Sequence, residues 1–501
     1  MVNARCFHSS MSAERLLPRR FPVSLVPESG EYSRGVIKMR ALGEEGREKL
    51  EEFIFQIMTE RGIPGLSIAA MDEEGICFKR GLGFRDFNLN TSTTPRTIYC
   101  IGSVTKPFTA LAVMQLHEEG LLNLDDPIEK YVPYKARPMG EPILIKHLLS
   151  HSSGLPSLGY ASVTLSTVTN LSDDWFPISS PQDLLVFMAG AEDWALSKPG
   201  QRYAYLNAGY ILLGLIIEKA SGEYYADYVK GHILEPLRMD RSTFYKEDVE
   251  KDDDVATPYI VSREEGRTPT RYPYGHLISD GGLMSSVEDM ANFVKMLLSD
   301  GLFEGHQVFK PESIKMMMEP KVPILSEPIE GGSQIHYGYG LRIKTEFLGH
   351  TLIHHSGSVY GSSAYMGLIP ERDLGVVLIA NGGYFLGDMG EYTLALLLGR
   401  DPMEMPYFRR QKILEELTGS YTTFRGTSNY KVTRRGGILQ LQTSFGRSSY
   451  ATPLIPVDLY GEPKLFKTYG IDSVTPVEFV TSEGGIFLIY DRNKAKKTVD
   501  G

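Results

Sequence analysis

The sequence predicts a two-part α/β chain, with a large domain of mixed helices and strands followed by a small antiparallel β domain. Three observations carry this. The 501 residues exceed what a single hydrophobic core organises, so at least two domains are expected. Apolar residues recur at three- and four-residue spacing in several segments before residue 400, and beyond it they alternate with polar ones. Charge shifts at the same place: residues 411–501 hold 12 Lys+Arg and 9 Asp+Glu, or +3, which leaves −13 for the rest of a chain whose net charge is −10.

In chain order, residues 1–42 carry Pro, Ser and Arg without periodicity and read as an N-terminal extension. They lack the apolar core of a signal peptide. A helix is expected from Glu44 to a C-cap at Gly62. Leu66–Met71 and Ile76–Phe78 read as strands between turns. From Ser103 to Glu119, Val104, Phe108, Leu111 and Met114 fall on one helical face, and Gly120 closes the segment. Residues 157–200, rich in Ser, Thr, Asp and Pro and holding Trp175 and Trp194, read as a surface excursion. Ala208–Lys219 and Glu288–Leu298 read as helices, and Thr351–His355 and Gly375–Ala380 as strands. The large domain is therefore placed at 43–400. Residues 401–412, opening with DPMEMPYFRR, read as a linker. In 413–501, Leu439 and Leu441 alternate with Gln440 and Gln442, and Val477 and Phe479 alternate likewise. Ile486–Tyr490 follows Gly484-Gly485, so a small antiparallel barrel or sandwich is expected.

Composition excludes several classes. With 42% hydrophobic and 23% charged residues the chain is globular rather than disordered. No apolar run reaches the ~20 residues of a membrane span. The acidic balance gives no electrostatic case for nucleic acid. Cys6, Cys77 and Cys100 are odd in number and spaced for neither a disulfide framework nor zinc, which fits a reducing, cytoplasmic setting. There is no Gly-x-Ser-x-Gly elbow, His-Glu-x-x-His, Cys-x-x-Cys, Gly-x-Gly-x-x-Gly or Walker loop, so neither a metal nor a cofactor is expected.

Three short motifs bear chemistry. Ser103 and Lys106 sit one helical turn apart at a helix start, where backbone N–H groups favour negative charge. A buried lysine that loses its proton can take the serine's and make it a nucleophile. Taken alone, Ser103 is equally an N-cap and Lys106 a solvated lysine. Ser428 and Lys431 repeat the spacing in strand-like text, where they point to opposite faces. Tyr205-Leu-Asn207 precedes the Ala208 helix. Tyr205 could pass a proton to a leaving group, and Asn207 could bond the substrate carbonyl or Lys106, or simply cap the helix. His355-Ser356-Gly357 follows an apolar strand, where glycine admits a substrate to the backbone and His355 could bind a carboxylate or assist proton transfer. His336-Tyr-Gly338 lacks such a strand, and His151 and His354 read as structural.

In order and context the motifs resemble the serine β-lactamase-like, penicillin-recognising hydrolases, in the class C and D-alanyl/D-amino-acid peptidase and esterase branch. IGSVTKPFTALAVMQLHEEGLLNLDDPI resembles the nucleophile helix, IKHLLSHSSGLPS a characteristic turn, and YAYLNAGYILLGLIIEKASG the second motif. SDGGLMSSVEDMANFV resembles the return from the helical lobe, and HHSGSVYGSSAYMGLIPERDLGVVLIAN the third motif and final strands. The resemblance implies an antiparallel sheet flanked by helices, a helical lobe beside it, and a site between sheet edge and lobe. It also implies roles. Ser103 is acylated, Lys106 is the general base or its activator, and Tyr205 is the second proton-transfer residue. Asn207, Ser356 and Gly357 bind substrate, and the backbone N–H groups of Ser103 and Ser358 form the oxyanion hole. His355 stands where many members have the lysine of Lys-Thr-Gly. A mostly neutral histidine there points away from efficient β-lactam hydrolysis and toward small peptides, including those with D-residues. Carboxylester or β-lactam hydrolysis on the same fold is the alternative, and a non-catalytic penicillin-binding sensor is a third reading. The C-terminal segment is similar to the lipocalin-like barrel of some archaeal D-amino-acid peptidases, where it mediates assembly, which implies a homo-oligomer.

Overall fold

A computed structural model describes residues 42–168, 178–262, 266–275, 278–324, 334–445, 448–458, 464–469 and 472–498. The N-terminal extension apart from Leu42, together with Cys6 and Trp175, lies outside the described residues.

The large domain is built on a nine-stranded sheet. Helix α1 (Glu44–Arg61) opens with Glu44 and Glu45 against the N-terminal dipole and ends at Gly62, whose φ of 71° only glycine adopts freely. Strands β1 (Gly65–Asp72), β2 (Gly75–Asp86) and β3 (Thr91–Ser92) follow. Later in the chain come β4 (Val322–Pro323), β5 (Ile335–Tyr337), β6 (Arg342–Phe347), β7 (His350–Val359), β8 (Ser362–Ile369) and β9 (Leu374–Ala380). The order across the sheet is β4-β5-β6-β7-β8-β9-β1-β2-β3, with antiparallel neighbours throughout.

Both faces of this sheet are covered, which is why Gly375–Ala380 reads as an unbroken apolar run. Val377 and Ile379 of β9 belong to the core on one face and Val376 and Leu378 to the core on the other. The first core is the larger. It joins the sheet to α2 (Lys106–Glu118), α3 (Asn207–Ser221) and α4 (Val287–Leu298). Helix α2 is buried at ten of its 13 residues, as a helix central to a lobe must be. Ser286 caps α4 by accepting the Asp289 N–H. The second core packs α1 and α5 (Gly387–Leu397) on the opposite face. The 157–200 segment is only partly an excursion. It forms short helices over Tyr160–Val168 and Pro181–Phe187, and Tyr160, Ile178, Leu184 and Met188 join the main core while Trp194 stays exposed.

The segment expected to be a linker, 401–412, is largely helical. Helix α6 (Pro406–Leu417) runs through it, started by Pro406 at its first position. Phe408 packs into the sheet-side core, while Leu414 and Leu417 pack into the core of the C-terminal domain. Its apolar residues serve two different cores, so no single stripe is visible in ten residues of sequence.

The C-terminal domain is a closed antiparallel barrel of eight strands. They are β10 (Gly419–Thr423), β11 (Asn429–Arg435), β12 (Ile438–Phe445), β13 (Ser448–Pro456), β14 (Leu465–Tyr469), β15 (Val474–Ser482), β16 (Gly485–Tyr490) and β17 (Asn493–Thr498). Val432, Leu441, Phe466, Val477, Phe479 and Leu488 fill its interior. The Tyr421 hydroxyl donates to Leu417 O at 2.8 Å, which ties α6 to one end. Ser428 and Lys431 lie here, at and inside the start of β11. Among the described residues no helix is long and apolar enough to cross a membrane.

Candidate active site

Ser103 does not start the long helix but sits in a 3₁₀ turn, Gly102–Thr105, that leads into α2 and lies against β7. Two glycines allow the approach. A Cβ on Gly357 would collide with the Ile101 carbonyl oxygen, and one on Gly102 (φ 54°) would stand 2.7 Å from Ser358 N. The backbone at Ser103 and that at Ser358 are thereby brought side by side.

Lys106 is fully buried, and its three N–H directions are all assigned. The Nζ donates to Ser103 Oγ at 2.9 Å, to Asn207 Oδ1 at 2.8 Å and to the Asp280 carbonyl at 2.6 Å. Burial pushes this amine below the usual lysine range. The Asp280 carboxylate pulls it back up, and the Arg342 guanidinium pushes it further down.

Tyr205 lies in the loop before α3, and His151 fixes that loop from both sides. Ala204 N–H donates to the His151 carbonyl at 2.8 Å and Leu206 N–H to His151 Nδ1 at 3.1 Å, while the two rings lie 4.1 Å apart. His151 itself holds a φ of 52°. The Tyr205 ring centroid is 5.0 Å from Lys106 Nζ, and the neighbouring Ser103 hydroxyl favours the ionised phenol. Burial raises the phenol well above its ordinary range, so it keeps its proton.

His355 is buried on the same side of the sheet, with its ring 6.5 Å from Tyr205. Its Nδ1–H donates to Ser356 O at 2.7 Å and its Nε2 accepts from the Tyr337 hydroxyl at 2.9 Å. Burial, then the Arg342 and Lys106 cations, hold it well below the usual histidine range. It is a neutral ring with both nitrogens engaged.

A cavity of about 70 Å³ opens beside the nucleophile, lined among others by Ser103, Tyr160, Asn207, Asp280, Ser358 and Val359. Ser356 and Gly357 are not in that lining. Ser103, Lys106, Tyr205 and Asn207 form one connected cluster, with His355 one aromatic layer away.

Sequence reading missed Asp280, Tyr337 and Arg342. Arg342 touches the Tyr203 hydroxyl at 3.5 Å, and its charge bears on Lys106, Tyr205 and His355 alike. Asp280 stands in a Gly-Gly turn, where no periodicity reveals a side chain's direction. Tyr337 lies inside His336-Tyr-Gly338, a Gly/Tyr run with no apolar alternation to show which way its side chain points.

Residues 50–399 match the family model described as Beta-lactamase, and residues 402–496 match one described as the Pab87 octamerisation domain. Among solved structures, the octameric penicillin-binding protein homologue from Pyrococcus abyssi is 42% identical with a TM-score of 0.82, over 90% of this chain and 99% of that one. The penicillin-binding protein of Bacillus halodurans is 26% identical with a TM-score of 0.56, over 68% of this chain and 98% of that one. Protein flp of Staphylococcus aureus (strain MW2) is 28% identical over 353 residues, 68% of this chain and 64% of flp, so the match spans less than two thirds of that relative's length. Penicillin-binding protein 4* of Bacillus subtilis (strain 168) is 25% identical, over 64% of this chain and 69% of the relative. The chain therefore belongs to the beta-lactamase family, whose fold is that of serine hydrolases working through an acyl-enzyme.

Proposed function

We propose that the protein is a serine peptidase acting on small peptides, including those with D-residues, through an acyl-enzyme at Ser103. The observation that carries this is the environment of Lys106. Two of its three directions end on fixed acceptors, Asn207 Oδ1 and the Asp280 carbonyl. A neutral amine keeps two N–H bonds for these acceptors, which leaves its lone pair facing Ser103 Oγ.

Ser103 gives its proton to Lys106 as Oγ attacks the carbonyl carbon. The oxyanion is received by the backbone N–H groups of Ser103 and Ser358, each donor contributing about 3 kcal/mol. As the scissile C–N bond breaks, the leaving amine takes the Tyr205 proton, and Lys106 restores it. Water then attacks the ester, the same pair removes its proton, and Ser103 leaves as the alcohol. Asn207 orients Lys106 and borders the acyl pocket. His355 holds Tyr337 and β7 and supplies no cation. Arg342, with no carboxylate partner among the described residues, is the cation available to a peptide's free carboxylate, which favours peptides over neutral esters.

We also propose that the protein is a homo-oligomer. The match to an octamerisation domain and the octameric relative support this, as do Tyr450 and Tyr469 on the barrel, exposed to 61% and 63%.

Intact-mass measurement tests the acyl-enzyme. A fluorophosphonate should add once to wild type and not to Ser103→Ala, and a penicillin adduct should persist. Equal labelling of both proteins, or of neither, would sink the assignment, and rapid turnover of penicillin would make the protein a β-lactamase instead.

A further inference from the structure

The proposed relay needs the Asp280 carbonyl at one point. Lys106 turns its lone pair to Ser103 only while Asn207 and that carbonyl hold its other two directions. Asn207 is carried by the first turn of α3. Asp280 belongs to no helix or strand, and hydrogen bonds from two threonines that flank Lys106 place its turn. On one side, Leu283 N–H donates to Thr105 Oγ1 at 3.1 Å, and Ile101 N–H donates to the Leu283 carbonyl at 3.0 Å. On the other, the Thr109 hydroxyl donates to the Ser279 carbonyl at 2.6 Å, one peptide before the carbonyl that meets Lys106. Ser279 Oγ donates in turn to the Tyr210 carbonyl at 3.0 Å, so the turn is pinned between α2 and α3. Thr109 is fully buried. Its single proton is spent on Ser279, so its oxygen accepts from the Tyr225 phenol at 2.7 Å. Tyr225 stands on a short helix, Tyr225–Val229, and burial keeps its phenol protonated. Neither Thr109 nor Tyr225 lines the cavity beside Ser103.

We infer that Thr109, oriented by Tyr225, is a positioning residue for the base. It holds the Ser279–Asp280 turn so that the Asp280 carbonyl occupies one N–H of Lys106 and leaves the lone pair to Ser103. This rests on the acyl-enzyme reading above. Gly281 and Gly282 follow Asp280 directly, so the turn has backbone freedom to drift once Thr109 lets go. A displaced carbonyl has two effects. Neutral Lys106 gains a free N–H that competes with the lone pair for Ser103 Oγ, which slows attack. Protonated Lys106 loses an acceptor, which lowers its proton affinity. The titratable and charged groups around Lys106 are Asp280, Arg342, Tyr205, Tyr210, His151 and His355. A substitution at Thr109 replaces none of them.

Fluorophosphonate labelling kinetics on the full chain test this. The Ser103 Oγ–P bond forms as the P–F bond breaks, the serine proton goes to Lys106, and fluoride leaves without a proton from Tyr205. The rate therefore follows the activation of Ser103. In Thr109→Val the maximal labelling rate should fall by roughly 10- to 100-fold, the scale of a misplacement of about 1 Å. The half-saturating probe concentration should stay near that of wild type, and the pH limb should move to lower pH. Thr109→Ser keeps the hydroxyl and should recover most of the rate and return the limb, and Tyr225→Phe should fall between. If circular dichroism shows Thr109→Val unfolded, Thr109→Cys, similar in size with a weak donor, carries the same readouts. A wild-type rate and limb in Thr109→Val would overturn the inference. So would a loss confined to melting temperature and labelled fraction, with the rate per labelled site unchanged, because Thr109 would then serve folding alone. Wild type that takes no label at Ser103 removes the acyl-enzyme reading itself, whereas labelled Ser103 with an indifferent Thr109→Val removes only the positioning role.

Discussion

In the proposed mechanism Lys106 acts uncharged, and burial with two neighbouring charged groups sets how readily it becomes so. Burial and Arg342 favour the neutral amine, and Asp280 favours the ammonium. Because the folded-state affinity for the proton is lowered, kcat/KM should rise with pH along a limb below the ordinary lysine range, and be lost as pH falls through it. Removing Arg342 takes away a repelling cation, so the limb in Arg342→Met should move to higher pH. Removing the Asp280 charge should move it to lower pH in Asp280→Asn. pH–rate profiles of the two variants check both signs, and a shift in the same direction would contradict the assignment. Ser103, Lys106, Tyr205 and Asn207 were legible because one-turn spacing and a short Tyr-x-Asn motif survive in linear text. Asp280 and Arg342 were not, since each reaches the site through the fold, from a glycine turn and from a neighbouring strand.

At the scale of elements, the loop carrying Tyr205 depends on the turn carrying His151. The sequence reads His151 as structural, and its bonds to Ala204 and Leu206 are structural in kind, yet what they fix is Tyr205, the proton donor of the proposed mechanism. His151→Phe keeps a ring to pack on Tyr205 but leaves the buried Leu206 N–H without an acceptor, at a cost of about 1–3 kcal/mol. The expected result is a lower melting temperature with a fall in kcat that exceeds any change in KM. His151→Asn, which tolerates positive φ and keeps an acceptor, should recover part of kcat. Unchanged kinetics in His151→Phe would show that Tyr205 holds its place without the clamp. The same scale explains which elements could be read beforehand. Helices α1 to α4 and strands β1, β7 and β9 serve one or two cores with a regular period. Helix α6 divides its apolar side chains between domains and so resembled a linker.

For the whole molecule, the barrel interior is filled by side chains, so its outer surface carries the opportunity for contact. Tyr450 and Tyr469 lie on β13 and β14 with Leu465 and Val474 also exposed nearby in the barrel. In Tyr450→Lys with Tyr469→Lys, mass photometry should find smaller species than in wild type, with the barrel still folded because neither side chain enters its core. An unchanged mass would place the association elsewhere. The change of period and of charge near residue 400 announced a second domain, but alternation alone could not distinguish an open sandwich from a closed barrel. Closure is a property of strands distant in sequence, here β10 against β17.

The ends of the nine-stranded sheet carry a further consequence. Its outermost strands, β4 and β3, are two residues long, and β4 includes Pro323. The barrel has no outermost strand. In the barrel, therefore, no open strand edge is left to template another chain. Copies that meet through their barrels therefore meet by side chains, with no open main-chain edge there through which to fuse into fibrils.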